Sequence, residues 1–260
     1  MPETKFRKIN NLIGWLLFSV ALLTYGLTVE PTASYWDAGE YISTSAKLQV
    51  GHPPGAPFFQ MMGAVFSMFA SNNVSIAIAV NFLSVVSSAF VILFLFWSTT
   101  LFLKKISKKN NFTNDTNILL SSSIGALAFT FSDSFWFNAV ETEVYALAML
   151  FLSATFWCGL RWEKDFDNKR GDKWLLLICF LIGLSFGVHF MAILTIPAIG
   201  MIYFFKKYEK ITIKNFVLAN IISVSILLFI FKLLLPSTLS LFGQLEVFFV
   251  NSIGLSLIHI

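Results

Sequence analysis

Acids, a hydroxyl and a lysine recur at helical spacing just after the first apolar run. Asp37, Glu40, Thr44 and Lys47 follow one another at i, i+3, i+7 and i+10, so a short helix over 37–49 lying along a membrane surface places all four on one face. Two carboxylates and an ammonium on one stripe have the makings of a general base. Partial desolvation at the bilayer edge raises the basicity of such a carboxylate, and the lysine acts in the opposite direction. A plainer arrangement uses the same residues: Asp37 caps the helix and Glu40 pairs with Lys47.

The next residues, His52-Pro53-Pro54-Gly55, form a stiff exit, because each proline fixes its own φ and disfavours helix in the residue before it. A histidine on such a turn can be aimed at a ligand. A second polar group lies at 132–145, where Asp133, Glu141 and Glu143 alternate with Phe135, Trp136, Phe137 and Tyr145, an aromatic belt of the membrane interface. Read as the start of a helix, Glu141 and Glu143 point about 200° apart. One of them then faces a site, with Glu143 the candidate, and a carboxylate there also serves the helix dipole. His189, in Gly187-Val188-His189-Phe190, sits in an apolar stretch where ionisable residues are commonly functional.

The chain that must position these groups is a membrane protein by composition. Of its 260 residues, 57% are hydrophobic and 12% charged, far from the soluble average. Cys158 and Cys179 lie in apolar runs with no pairing or metal-knuckle pattern. A crossing helix takes about 20 apolar residues, and spans are expected at 11–29, 74–103, 118–131, 144–160, 174–188, 190–205 and 216–235, all within one membrane domain over 1–260. The run at 56–70 is too short to cross and suits a helix lying in the interface.

Charge supports this count. Basic clusters at 5–8, 104–109, 161–173 and 206–214 share one side in that topology, leaving outside only Lys47 and Lys232 of the 18 Lys and Arg. Cytoplasmic loops concentrate such residues. The N-terminus is therefore expected inside, and Asp37, Glu40, His52, Glu141, Glu143 and His189 converge on the external face. The basic loops read as solvated connectors, with no sign of a nucleic-acid partner.

The segments Trp36-Asp37-Ala38-Gly39-Glu40-Tyr41, Lys47 through Pro57, Phe135 through Tyr145 and Gly187-Val188-His189 resemble a family long labelled as a domain of unknown function, DUF2723. That family belongs to the GT-C superfamily and includes bacterial membrane proteins and an animal protein O-mannosyltransferase of the endoplasmic reticulum. The likeness runs from about Tyr35 to Pro197. It implies an all-α polytopic membrane protein, a GT-C-like helical bundle with interfacial helices in the first external loop. It further implies transfer of a sugar, mannose by the family's example, from a polyprenyl-phosphate carrier to an external acceptor, a protein Ser or Thr hydroxyl. Asp37 matches the superfamily's catalytic acid and Glu40 stands beside it, with Lys47, His52, Glu143, Tyr145 and His189 as substrate-binding candidates.

Two sequence features agree with a lipid-borne donor. There is no Gly-rich phosphate loop or βαβ pattern for a nucleotide sugar, and the acids face the external side. No cofactor is expected. The phosphate is left to Lys47, Lys232, His52, His189 or a divalent metal held by surplus acids, among which the sequence does not choose. The chain stops inside an apolar run at 256–260, so further spans are expected beyond it. The default location is a bacterial inner membrane, or the endoplasmic reticulum in a eukaryote. The competing class is a proton- or cation-coupled transporter, in which external acids and an intramembrane histidine form an ion path; the internal repeats common in transporters are not seen.

The topology is open to a direct check. A reporter fused after Lys109 should read as cytoplasmic and one fused after Ser71 as external. A cytoplasmic signal at Ser71 would remove the shared face for the acids.

Overall fold

The computed structural model describes residues 2–53, 55–110, 114–167 and 171–254. Pro54, Asn168 to Arg170 and the apolar end at 255–260 lie outside the described residues. The chain is an all-α polytopic membrane protein, with eleven α-helices among the described residues. Five helical stretches there are long and apolar enough to cross a bilayer: 3–27, 73–108, 144–165, 190–207 and 213–251. Packing divides the chain into two compact units, 1–195 and 196–260, where the sequence reading has one domain.

In the first unit, α4 (Ile76–Asn110) is the axis, packed by α1 (Glu3–Leu27), α5 (Asp115–Thr130) and α7 (Val144–Asp165). It is apolar nearly all round, as a helix enclosed by others must be, and 61% of its crossing window is buried. The face of α1 that meets the core carries Leu17, Ala21 and Tyr25, four residues apart. Gly14 on the same face lets the Trp97 indole lie against bare backbone, because a Cβ there would come within 2.5 Å of its nitrogen.

Two short helices join α1 to α4. The first, α2 (Ala38–Lys47), is bracketed by left-handed residues, Trp36 at φ 58° and Leu48 at φ 49°. Leu48 ends the helix by turning its amide back onto Ser45, while Gln49 donates to the Thr44 carbonyl at 2.8 Å, a closure usually given to glycine. The second, α3 (Pro57–Ser67), starts at a proline whose missing N–H costs nothing in the first turn. Eleven residues rise about 16 Å, half a hydrocarbon core. The helices cross where Gly63 meets Ser45, since a Cβ on Gly63 would sit 2.4 Å from the serine oxygen.

Beyond α5 the chain bends by 64° into α6 (Asp133–Val140), a turn of helix that the apolar pattern does not separate from loop. The run at 118–131 is carried on the 16 residues of α5, and that at 174–188 on the 15 residues of α8 (Gly171–Ser185). After α8 a tight turn leads to a 3₁₀ segment at Phe190–Leu194. The Gly187 carbonyl in that turn accepts from the Phe58 amide at 2.8 Å and the Phe59 amide at 3.1 Å, so it satisfies the otherwise orphan donors at the start of α3.

The second unit holds α9 (Thr195–Lys207), α10 (Ile213–Phe229) and α11 (Leu235–Asn251). Thr212 caps α10 by accepting from the Asn215 amide at 3.2 Å. A wider π turn at Ile230–Leu234 joins α10 to α11 just before Pro236, whose ring and missing N–H disturb the regular ladder. Helix therefore continues to Asn251, where the sequence reading stops at 235.

Buried polar bonds fix the acid-bearing end of α4. Asn81, 1% exposed, donates to the carbonyls of Glu30 at 2.6 Å and Thr32 at 3.0 Å and accepts from the Thr142 hydroxyl. Ser84, one turn on and equally buried, has a hydroxyl with no partner. Asn81→Ala breaks three bonds, one of them to the fully buried Thr142, a loss of roughly 2–3 kcal/mol, and should lower the Tm in detergent by about 5–10 °C. Ser84→Ala removes an unmet group and should stay within about 2 °C of wild type. Equal effects of the two changes would show that the Asn81 bonds are not what holds this end.

Candidate active site

The residues nominated from sequence are assembled by two loops at one end of the first unit. Asp37 stands at the N-terminus of α2 without capping it through its side chain, and Glu40 lies one turn inside. Glu40 does not pair with Lys47. Its carboxylate accepts the His52 backbone amide at 2.6 Å and meets the imidazole Nδ1 at 3.1 Å, because the chain turns back after α2 and returns His52 over the helix start. His52 Nε2 then lies 3.8 Å from an Asp37 oxygen. All three groups are substantially exposed, so the cluster forms an open surface.

Gln60 of α3, buried against α2, holds that return. Oriented with its oxygen inward, its carboxamide accepts the Gly51 amide at 3.0 Å and donates to the Gln49 carbonyl at 3.1 Å, with Thr44 also in reach. Thr44 therefore faces α3 rather than extending the acidic stripe. Lys47 is exposed in the last turn of α2, about 15 Å along the helix from Asp37. The four-residue stripe read from spacing is thus an acid–histidine cluster at one end and a lysine at the other.

The second loop overturns the expected geometry of its acids. Helix α6 ends at Val140 and α7 begins at Val144, and Glu141 and Glu143 have extended backbone between them. Residues two apart in extended chain point the same way, so both face the first loop. Glu141, 3% exposed, accepts from the Ser34 hydroxyl. Glu143, 7% exposed, turns its carboxyl toward the backbone amides of Asp37 and Val144. The loops are further joined by the Glu30 amide, which donates to the Val140 carbonyl at 2.9 Å.

Electrostatics separates these carboxyls into roles. The His52 amide and imidazole hold Glu40 below the ordinary carboxylate range, and Glu40 in turn holds His52 above its ordinary value. Each partner thus favours the charged form of the other. Burial, with Asp37 and Glu141 adding repulsion, pushes Glu143 up to about 7. Burial likewise raises Glu141.

Tyr41 is the site residue that spacing alone passes over. Its ring packs 5.9 Å from His52 and 5.3 Å from Phe59. Burial pushes its phenol up to about 12, and Glu143, Asp37, Glu40 and Tyr145 add to the shift. It is a proton donor amid the acids, and its place next to Glu40 in the first motif is the signal that could have found it. Tyr145 is half-exposed, with its ring 5.5 Å from that of His189. Burial lowers the affinity of His189 for a proton, and its Nδ1 has no partner.

Asp37, Glu40 and His52 can each present a metal-ligand atom within 4.8 Å of the others. With His52 already held by Glu40 and favoured in its protonated form, the donor set fits a proton-handling pair better than a free ligand trio.

The profile of the Protein O-mannosyl-transferase TMEM260 N-terminal domain matches residues 37–212. The chain is 26% identical over 232 residues to a Dictyostelium discoideum protein O-mannosyl-transferase, the match covering 83% of this chain and 27% of that protein. It is 26% identical over 170 residues to the Mus musculus protein O-mannosyl-transferase TMEM260, covering 65% of this chain and 22% of the relative. The chain thus spans about a quarter of the length of these curated relatives. No solved structure matches.

Glu143 supplies a pH test. The folded protein holds its proton to higher pH than the unfolded chain does, so stability is full below the ordinary carboxylate range and falls as pH rises through about 7. Glu143→Gln keeps the acceptor oxygen and removes the titration. Its Tm should be close to wild type at pH 4 and exceed it at pH 8 by about 6–10 °C, or ~2–3 kcal/mol. An offset independent of pH would show that Glu143 does not ionise in this range.

Proposed function

The chain belongs to the family of protein O-mannosyl-transferase TMEM260 N-terminal domains, and from that premise we propose that it forms the catalytic membrane part of a glycosyltransferase of the GT-C type. It passes mannose from a polyprenyl-phosphate carrier to a Ser or Thr hydroxyl of a protein on the external side of the membrane. The observation that carries this reading is the convergence of Asp37, Glu40 and His52 on an open surface with the buried Glu143 beneath them, from loops about a hundred residues apart and within the matched residues.

In this mechanism Asp37 takes the proton of the acceptor hydroxyl as its oxygen attacks the anomeric carbon. The bond from that carbon to the carrier phosphate breaks, and its electron pair leaves with the phosphate. His52, whose protonated form Glu40 favours, offers positive charge to that departing anion when it carries the proton. Glu40 is a positioning residue, gripping both the amide and the ring of His52. Glu143 stands against the Asp37 backbone amide and so helps to position the base. Lys47, His189 and Tyr145 belong to the surfaces along which donor and acceptor lie.

Asp37→Asn keeps size and hydrogen bonding but takes no proton. Transfer from polyprenyl-phosphate-mannose to a Ser/Thr-rich peptide in proteoliposomes should fall about 100-fold or more, with donor affinity retained. His52→Gln should weaken donor binding as well as rate, since a cation on phosphate acts before and during bond breaking. Transfer by Asp37→Asn at the wild-type rate would remove Asp37 from the role of base.

A further inference from the structure

The first unit carries a second built feature at its other end. Helix α1 starts there, and α4 and α7 end there, having begun beside the acids. Arg161 follows Val144 by 17 positions on α7, about 25 Å along the axis, close to the thickness of a hydrocarbon core. Between the three helices is a cavity of about 510 Å³, a size typical of ligand sites between bundle helices.

Its walls pair cations with aromatic rings. Arg7, Lys104, Arg161 and Lys164 line it against a single carboxylate, Glu3. The Arg161 guanidinium lies 5.8 Å from the Trp157 ring and 5.4 Å from that of Trp174, and the Lys104 ammonium sits 3.6 Å over Phe6. Three of the cations stand 3.4–3.9 Å from acids: Lys104 from Asp115 at 3.9 Å, Arg161 from Asp165 at 3.5 Å and Lys164 from Glu3 at 3.4 Å. A guanidinium has five donors, and the buried Nε of Arg161 has no acceptor. The Asn10 oxygen is buried without a partner too. Unmet polar groups are rare in native interiors, and here they cluster on the wall of a cationic cavity.

We propose that this cavity binds the phosphate headgroup of an anionic membrane lipid, with Arg7 and Arg161 as its anchors. A lipid fits better than a soluble phosphate because the cavity adjoins an apolar track. Leu12, Trp15 and Leu16 of α1, just beyond Asn11 on the cavity wall, are 61%, 47% and 56% exposed and offer a bed for acyl chains. Basic pockets between membrane helices have the chemistry that anionic headgroups require, and arginine grips phosphate through paired N–H bonds.

The test is thermal unfolding of the purified chain in neutral detergent, with phosphatidylglycerol, phosphatidylcholine or inorganic phosphate added. Phosphatidylglycerol should raise the Tm, as a ligand of the folded state does, and the other two should not. Arg7→Gln/Arg161→Gln should lose at least half of that shift. Asn11→Trp, at an exposed position on the cavity wall, should also lose at least half by obstructing the cavity without changing charge, and it decides the matter if the double variant does not fold. An equal shift with phosphatidylcholine would overturn the proposal in favour of bulk lipid, and an equal shift with inorganic phosphate in favour of a soluble anion. A shift that survives both variants would overturn it as well.

Discussion

One buried carboxamide fixes the end of the bundle where the acids lie. Asn81 enters α4 within its first two turns and has no water to satisfy it, so its amide must find protein partners. Two carbonyls of the first loop and a hydroxyl of the second supply them. The loops differ by more than a hundred positions in sequence, and the carboxamide sets the distance between them. From that distance follow the Ser34–Glu141 bond and the approach of Glu143 to Asp37.

The electrostatic consequence is a division of labour among four carboxyls packed near one imidazole. Repulsion alone would spread their protonation without order. Geometry instead gives Glu40 the histidine, Glu141 a hydroxyl and Glu143 a largely dry niche, while Asp37 keeps an exposed side chain. Carboxyls of one chemistry acquire different affinities for protons because their surroundings differ. The phenol of Tyr41, buried among them, adds a donor that remains protonated across physiological pH.

Much of this was legible in the residues, for stated reasons. Apolar run length locates helices, since burial of the backbone in lipid leaves few alternatives. The short α2 and α3 were legible from polar spacing and from a run too brief to cross. Partner choice was not. Spacing offered Lys47 as one alternative partner for Glu40, but a chain reversal after Leu48 delivers His52 to Glu40 from twelve residues on, and periodicity carries no information about such returns. The angle between Glu141 and Glu143 was misjudged because a three-residue break between α6 and α7 replaces helix with extended chain. Asn81 and Gln60 look like polar interruptions in apolar helices, and only contacts across elements give them meaning.

The Gly187 carbonyl has a mechanical consequence. Both leading amides of α3 end on that single oxygen, and a Cβ at Gly187 would come within 2.7 Å of the Phe58 side chain. The turn between α8 and the 3₁₀ segment is therefore a pivot bearing for α3. Rotating either part alone breaks two hydrogen bonds together, roughly 2 kcal/mol. The same turn lies two residues from His189, whose ring meets that of Tyr145, so the start of α3 and the His189–Tyr145 contact share one anchored stretch of backbone.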